Sequence, residues 1–303
     1  MSLYVKHRPA DFDGVLGNEG VVQAISTLVT KEDAPHSYLL TGPTGCGKTT
    51  IGRIMVNLLG CSGMDFMEVD SADFRGIDTI RDIRRQAQFA PMESRCRVWL
   101  LDECHKMSGD AQSALLKILE DTPAHVYFIL CTTDPQKLLP TIKGRCSQFQ
   151  VNTLQEKQII SLLRRVVKAE GENLQKAVYE QIAMDSQGHP RNALTILEQV
   201  LSVPEEQRLE MAQQTAAVQS QAIELCRALF ENGPSWKKVS SILAGLTDQD
   251  PEGVRRMVLA YCNSVLLKSD NPKAGLVMEM FIEPFYNTGF PGLTYACYSV
   301  VNA

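Results

Sequence analysis

Eight consecutive residues, Gly42-Pro43-Thr44-Gly45-Cys46-Gly47-Lys48-Thr49, constrain this chain more than any other stretch. They follow the apolar run Ser37-Tyr38-Leu39-Leu40 and precede the helix-like stretch from Thr50 to Val56. Glycines at 42, 45 and 47 let backbone N–H groups turn inward, and the following helix presents its positive N-terminal end. That G-x-x-x-x-G-K-T spacing suits a triphosphate. Lys48 is expected to reach the outer phosphates and Thr49 to offer its hydroxyl to Mg2+, with Cys46 and Thr50 completing the candidate ATP site.

The rest of the first half supplies strands for such a loop. Phe66–Asp70 alternates apolar and polar residues, and Arg97–Leu101 is a continuous apolar run ending in Asp102 and Glu103. An uninterrupted run of this kind predicts a central parallel strand buried on both faces, with its acids at the carboxyl edge. Val126–Thr133 and Ser147–Val151 read as two more strands. Helical spacing appears over 19–29, in Ile77, Ile80 and Ile83, and over 109–121. Strand and helix alternate, so residues 1–151 are expected to form a doubly wound α/β domain with its ligand at the strand carboxyl ends. The opening Tyr4–Pro9 reads as an extended lead-in, because Pro9 disfavours helix at Arg8.

Past Val151 the strand signal disappears. Residues 154–170, 175–185 and 191–201 read as three helices of a small lid domain, 152–204. Pro204 and a Glu/Gln-rich stretch open a third, helical domain, 205–303, broken at Gly233-Pro234, Pro251, Pro272 and Pro284.

Composition narrows the setting. With 44% hydrophobic and 21% charged residues in 303, the chain reads as globular, and no run approaches the roughly 20 apolar residues of a membrane span. Without a signal-peptide core at the N-terminus, a cytosolic location and no membrane partner are expected. The nine cysteines form no C-x-x-C pair and are expected to be reduced and mostly buried. A net charge of −5 leaves any DNA binding to a local patch.

Asp102 suits a Mg2+ ligand beside Thr49, and Glu103 is a candidate to orient or deprotonate an attacking water. Thr132 and Thr133 end the neighbouring strand, where a hydroxyl could meet the γ-phosphate or that water. Arg145 and Arg191 are single arginines after turns.

Several segments together resemble the AAA+ clamp-loader ATPases, most closely the γ/τ family of bacterial DNA polymerase III. They are Tyr4–Pro9, Asp102-Glu103-Cys104-His105, Ala114–Glu120, Leu130–Leu138 and Gly144–Phe149. The resemblance covers most of residues 1–200. It implies an ATPase with Lys48 and Thr49 on phosphate and magnesium, Asp102 on magnesium and Glu103 as the water-activating base. It further implies Thr133 as a first sensor, Arg191 as a second sensor reaching from the lid, and Arg145 as an arginine finger acting on a neighbouring subunit's ATP. Adenine would lie against Val5, Arg8 and Pro9.

Primer–template DNA would be met by helix N-termini around Arg75, Arg81 and Ser108. The implied partners are the other subunits of a five-membered assembly and a ring-shaped sliding clamp. Three departures carry expectations of their own. The family's four-cysteine module has Cys61 alone in the matching gap, so no zinc is expected. Gly144 stands where a serine is usual and should loosen the finger loop. An end at Ala303 leaves room for a helical collar and suggests a compact loader subunit. The competing readings are a non-hydrolysing scaffold subunit, or another AAA+ motor such as a branch-migration helicase or a helicase loader.

Overall fold

Side chains that alternate along a strand face opposite ways, and here both ways lead into apolar cores. A computed structural model of the chain describes residues 1–70, 76–231, 233–247, 249–267 and 271–302, with the side chains of 213–223 and 264 outside that description. It divides into two compact units, Met1–Glu205 and Glu206–Ala303.

The first unit opens with a helical turn, α1 (Leu3–Lys6), then α2 (Glu19–Val29), β1 (Ser37–Thr41), α3 (Lys48–Leu58), β2 (Phe66–Val69) and α4 (Ile77–Gln86). β3 (Arg97–Leu101), α5 (Gly109–Glu120), β4 (Val126–Thr132), α6 (Pro140–Arg145) and β5 (Ser147–Gln150) complete the α/β part. Three helices follow: α7 (Glu156–Ala169), α8 (Lys176–Asp185) and α9 (Pro190–Leu201). The five strands are parallel, in the order β2-β3-β4-β1-β5.

Leu39, Trp99, Leu101, Phe128 and Leu130 point to one face, against Ile80 and Ile83 of α4 and Leu115 and Ile118 of α5. Tyr38, Leu40, Val98, Leu100 and Ile129 point to the other, against Ile25 of α2 and Ile51 and Met55 of α3. Each such side chain, fully buried, contributes about 1.5–3 kcal/mol relative to exposure. α3 lies so close to the sheet that a Cβ on Gly52 would come within 2.6 Å of Leu100 Cδ1.

Two local expectations are corrected. The opening is helical rather than extended: Val5 and Lys6 both donate to Ser2 O at 3.0 Å. Pro9 restricts Arg8, and the helix has already ended at Lys6. Gly144 and Arg145 close α6 rather than forming a loop, with Leu139 O accepting from Ile142 N at 3.0 Å.

A buried carboxylate fixes the opposite, amino-terminal edge of the sheet. Asp65, fully buried, accepts from the backbone N–H groups of Met92, Glu93 and Ser94 at 2.7–3.0 Å and from Arg97 Nη2 at 3.2 Å. Burial alone would raise its pKa, but these donors together outweigh that and bring it down to about 2.

The second unit is helical: α10 (Arg208–Phe230), α11 (Trp236–Ala244), α12 (Pro251–Leu266), α13 (Pro272–Met280) and α14 (Gly289–Val301). Leu225, Leu229, Val258, Phe281, Leu293 and Cys297 are fully buried at its centre. Pro251 and Pro272 each begin a helix, capped by Asp250 and Asn271, because a first-turn proline forfeits no helical hydrogen bond. Buried Glu252 receives Arg255 Nη2 at 2.6 Å and Phe285 N at 3.0 Å. The Arg255 guanidinium is the largest influence holding the Glu252 carboxyl down at about 2. Among the described residues no helix is long and apolar enough to cross a membrane.

Candidate nucleotide-binding site

The loop after β1 has little choice of residue at Gly42. Its φ is +145°, and a Cβ there would stand 2.0 Å from Val151 O. Val151 N in turn donates to Thr41 O at 2.7 Å, so the loop and the exit of β5 are locked together. Lys48 is buried at the start of α3, its Nζ donating to Gly42 O and Pro43 O, each at 2.9 Å. The ammonium therefore sits over the mouth of the loop that its own backbone shapes.

A cleft of about 370 Å³ opens over this loop. Thr44 to Thr50 floor it, Asp102, Glu103 and Lys106 close one side, and Tyr4, His7, Arg8 and Pro9 another. Leu162, Arg165, Arg191 and Leu194 of α7 and α9 complete the wall. The size and the mixed apolar and polar lining suit a small ligand.

Although β4 lies between β1 and β3, the residues that follow β1 and β3 meet at the cleft. Thr49 Oγ1 donates to Asp102 Oδ2 at 2.8 Å. Glu103 follows with φ 50° and ψ 40°, a left-handed backbone that costs a non-glycine residue about 1–2 kcal/mol. Its Oε2 accepts from Thr133 Oγ1 at 3.0 Å and lies 3.2 Å from His105 Nδ1. A hydroxyl and a carboxylate in contact at the head of a phosphate-cradling loop form the hard-oxygen set that Mg2+ takes. The inward N–H groups and Lys48 suit the anion it would neutralise.

The N-terminal end of α9 reaches the same loop. His189 Nδ1 contacts Thr44 O at 2.8 Å, Arg191 N donates to Gly45 O at 3.5 Å, and the Arg191 guanidinium lies 5.7 Å from the Tyr4 ring. α1 is tied to the end of α7 by Glu170, which pairs with Lys6 at 2.8 Å and with His7.

Other sequence-derived candidates fall elsewhere. Val5 is not among the lining side chains and is 38% exposed, whereas its neighbour Tyr4 on α1 lines the cleft. Gly42 shapes the loop from behind rather than lining the cleft, and Thr133 reaches it through Glu103. Arg145 is outside the cleft, paired with Glu120 at 2.6 Å on the surface. Arg81 pairs with Asp78 at 3.0 Å on α4, Ser108 Oγ caps α5 by accepting from Ala111 N, and Arg75 lies outside the described residues. Tyr4, His7, His189 and Arg165 were not anticipated. Tyr4, next to Val5, was hidden by reading the segment as extended.

This sheet order, with a phosphate-type loop after β1, paired acids after β3 and helices α7 and α9 against the cleft, is the AAA+ fold. The Thermotoga maritima RuvB Holliday junction branch migration motor shares the fold, with a TM-score of 0.61 over 80% of this chain and 86% of that one at 19% identity.

Sequence relatives are more particular. The chain is 36% identical over 225 residues to the DNA polymerase III subunit gamma/tau of Mycobacterium tuberculosis, covering 67% of this chain and 39% of that protein. It is 34% identical over 217 residues to the DNA polymerase III subunit gamma of Buchnera aphidicola, covering 65% and 60%. The Escherichia coli DNA polymerase III subunit tau matches at 33% over 218 residues, 65% of this chain and 34% of that one. The family model described as DNA polymerase III, delta subunit matches residues 64–155. The chain is thus related across two thirds of its length to the DNA polymerase III γ/τ subunits, and it spans between a third and three fifths of these three relatives.

Proposed function

We propose that this chain is an ATP-hydrolysing subunit of a sliding-clamp loader. ATP binding would open the ring clamp and place it on primer–template DNA, and hydrolysis would release it. The observation that carries the reading is the meeting of Thr49 with Asp102 in the cleft over the Gly42–Thr49 loop, beside a Glu103 that Thr133 holds from outside it.

In this reading Lys48 and the loop amides hold the phosphates, and Thr49 and Asp102 hold Mg2+, which when bound neutralises charge on the outer phosphates. Glu103 takes a proton from water as that water attacks the γ-phosphorus and the bond to ADP breaks. Thr133 orients Glu103 as first sensor, and Arg191 reads the γ-phosphate from the lid, residues 152–204. Arg145, exposed and away from its own cleft, serves a neighbour's ATP. Arg75, Arg81 and Ser108 face DNA, a sequence-independent and salt-sensitive contact. The helices of 205–303 form the collar of a five-membered ring working in the cytoplasm.

The test is steady-state ATP hydrolysis by the purified chain, alone, with primed DNA, and with candidate clamps and co-expressed subunits. Strong joint stimulation by primed DNA and clamp is the expected result. Turnover indifferent to both with partners supplied would leave an AAA+ ATPase and discard clamp loading. ATP binding without turnover in any assembly would make the chain a scaffold, and ATP-driven strand separation would make it a helicase.

A further inference from the structure

The base of the cleft is held from behind by a histidine that the hydrolytic reading has not used. His105 lies in a short 3-10 turn, Cys104–Lys106, its side chain 10% exposed. Its Nδ1 stands 3.2 Å from Glu103 Oε2 and 3.0 Å from Thr132 Oγ1. Thr132 is itself fully buried, and its Oγ1 already accepts from Asp134 N at 3.0 Å. Glu103 Oε2 also takes the Thr133 hydroxyl at 3.0 Å. The ring nitrogen and the hydroxyl therefore converge on one carboxylate oxygen, on a residue whose left-handed backbone already fixes the side chain's origin.

The proton on Nδ1 follows from these contacts. An unprotonated Nδ1 would turn its lone pair on a carboxylate oxygen 3.2 Å away, a repulsion, whereas Nδ1–H can donate to Glu103 Oε2 and Thr132 Oγ1 together. Burial, the largest influence, lowers the imidazole pKa. Glu103 and Asp134 act to raise it, and Lys137 and Lys106 to lower it further. The ring is then a neutral donor near pH 7.

We propose that His105 is a positioning residue for Glu103, its Nδ1–H and the Thr133 hydroxyl together anchoring Oε2 so that the carboxylate is aimed at the attacking water. The inference rests on the hydrolytic reading of the cleft. His105 does not line the cleft; it sets the angle from which Glu103 accepts a proton.

Two experiments test it. In the stimulated assembly, His105→Ala should lower kcat by roughly 10- to 100-fold, the scale of a misaimed catalytic group, with KM for ATP nearly unchanged. His105→Asn, whose amide N–H can stand near the Nδ1 position, should recover most of that loss. His105→Gln, which extends toward the Nε2 position, should not. Unchanged kcat in His105→Ala, or equal losses in the Asn and Gln variants with weakened ATP binding, would overturn the proposal.

The second experiment is NMR of the wild-type chain labelled with 15N at its five histidines. His105 should be the Nδ1–H tautomer, and Glu103→Gln should shift its signals. An Nε2–H tautomer would overturn the proposal whatever the turnover. A wild type inert in every assembly would instead remove the hydrolytic reading itself, so the two failures are told apart.

Discussion

Thr49 Oγ1 lies 2.8 Å from Asp102 Oδ2 although 53 positions separate them in sequence. Two strands that are not adjacent, β1 and β3, bring them together across β4, since parallel strands release their following residues at one edge of the sheet.

That contact predicts a metal-specific phenotype. Thr49→Ala and Asp102→Asn should each weaken Mg2+–ATP binding by roughly tenfold, about 1.4 kcal/mol, while binding in EDTA stays as in the wild type. Titration of a fluorescent ATP analogue with and without Mg2+ reads both. Equal losses in the two conditions would remove the pair from the metal site.

Glu103→Gln keeps the shape of the side chain and its acceptor toward Thr133, and removes the base. ATP affinity should persist while turnover falls by about 10²–10⁴, the usual span for a positioned acid or base. Phosphate release against nucleotide binding separates the two quantities.

Arg145 is 38% exposed and paired with a 42% exposed Glu120, so the pair contributes about 0–1 kcal/mol to stability. Arg145→Ala should leave melting and ATP binding of the isolated chain unchanged and cut assembled turnover by about 10³–10⁵, as for arginine fingers. Undiminished turnover would take Arg145 out of the mechanism.

Asp65 offers a test of the fold away from the cleft. Its folded pKa is depressed to about 2 from an ordinary 3.8, so its ionised contacts stabilise the protein above about pH 4, and that contribution is lost as pH falls toward 2. Asp65→Ala should cost about 3 kcal/mol at pH 7 by stranding Arg97 and three backbone donors. The gap from the wild type should shrink on acidification; urea melts at pH 7 and pH 3 measure it. A pH-independent gap would show that packing, not charge, is what Asp65 supplies.

The helical unit carries the collar proposal. A chain ending near Pro204 should fail to reach the full-length assembly, as read by light scattering. Assembly at the same stoichiometry would end that assignment.

Much of the α/β part was legible because its signals are local. The loop Gly42–Thr49 declares itself by glycine spacing, and Val98-Trp99-Leu100-Leu101 and Phe128-Ile129-Leu130 declare buried strands by having no polar side. The pairing of Thr49 with Asp102 was expected because each residue type is suited to the same metal. α1 was misread because one proline was given influence over residues it does not constrain, and Tyr4 was lost from the cleft with it. The embrace of Glu103 by Thr133 and His105 has no sequence signature: a threonine at a strand end and a histidine after an acidic pair are each unremarkable alone.

The amino-acid sequence by itself determined the elements and the chemistry of the loop, since strand and helix periods and glycine's access to positive φ act over a few residues. Tertiary structure decided strand order, and with it which strand ends share the cleft, because that depends on how crossovers pack over both faces of the sheet. It also decided that Asp65 and Glu103 are held rather than loose: Asp65's partners come from 27 to 32 positions away and Thr133 meets Glu103 from 30 away, contacts that exist only when the sheet is formed.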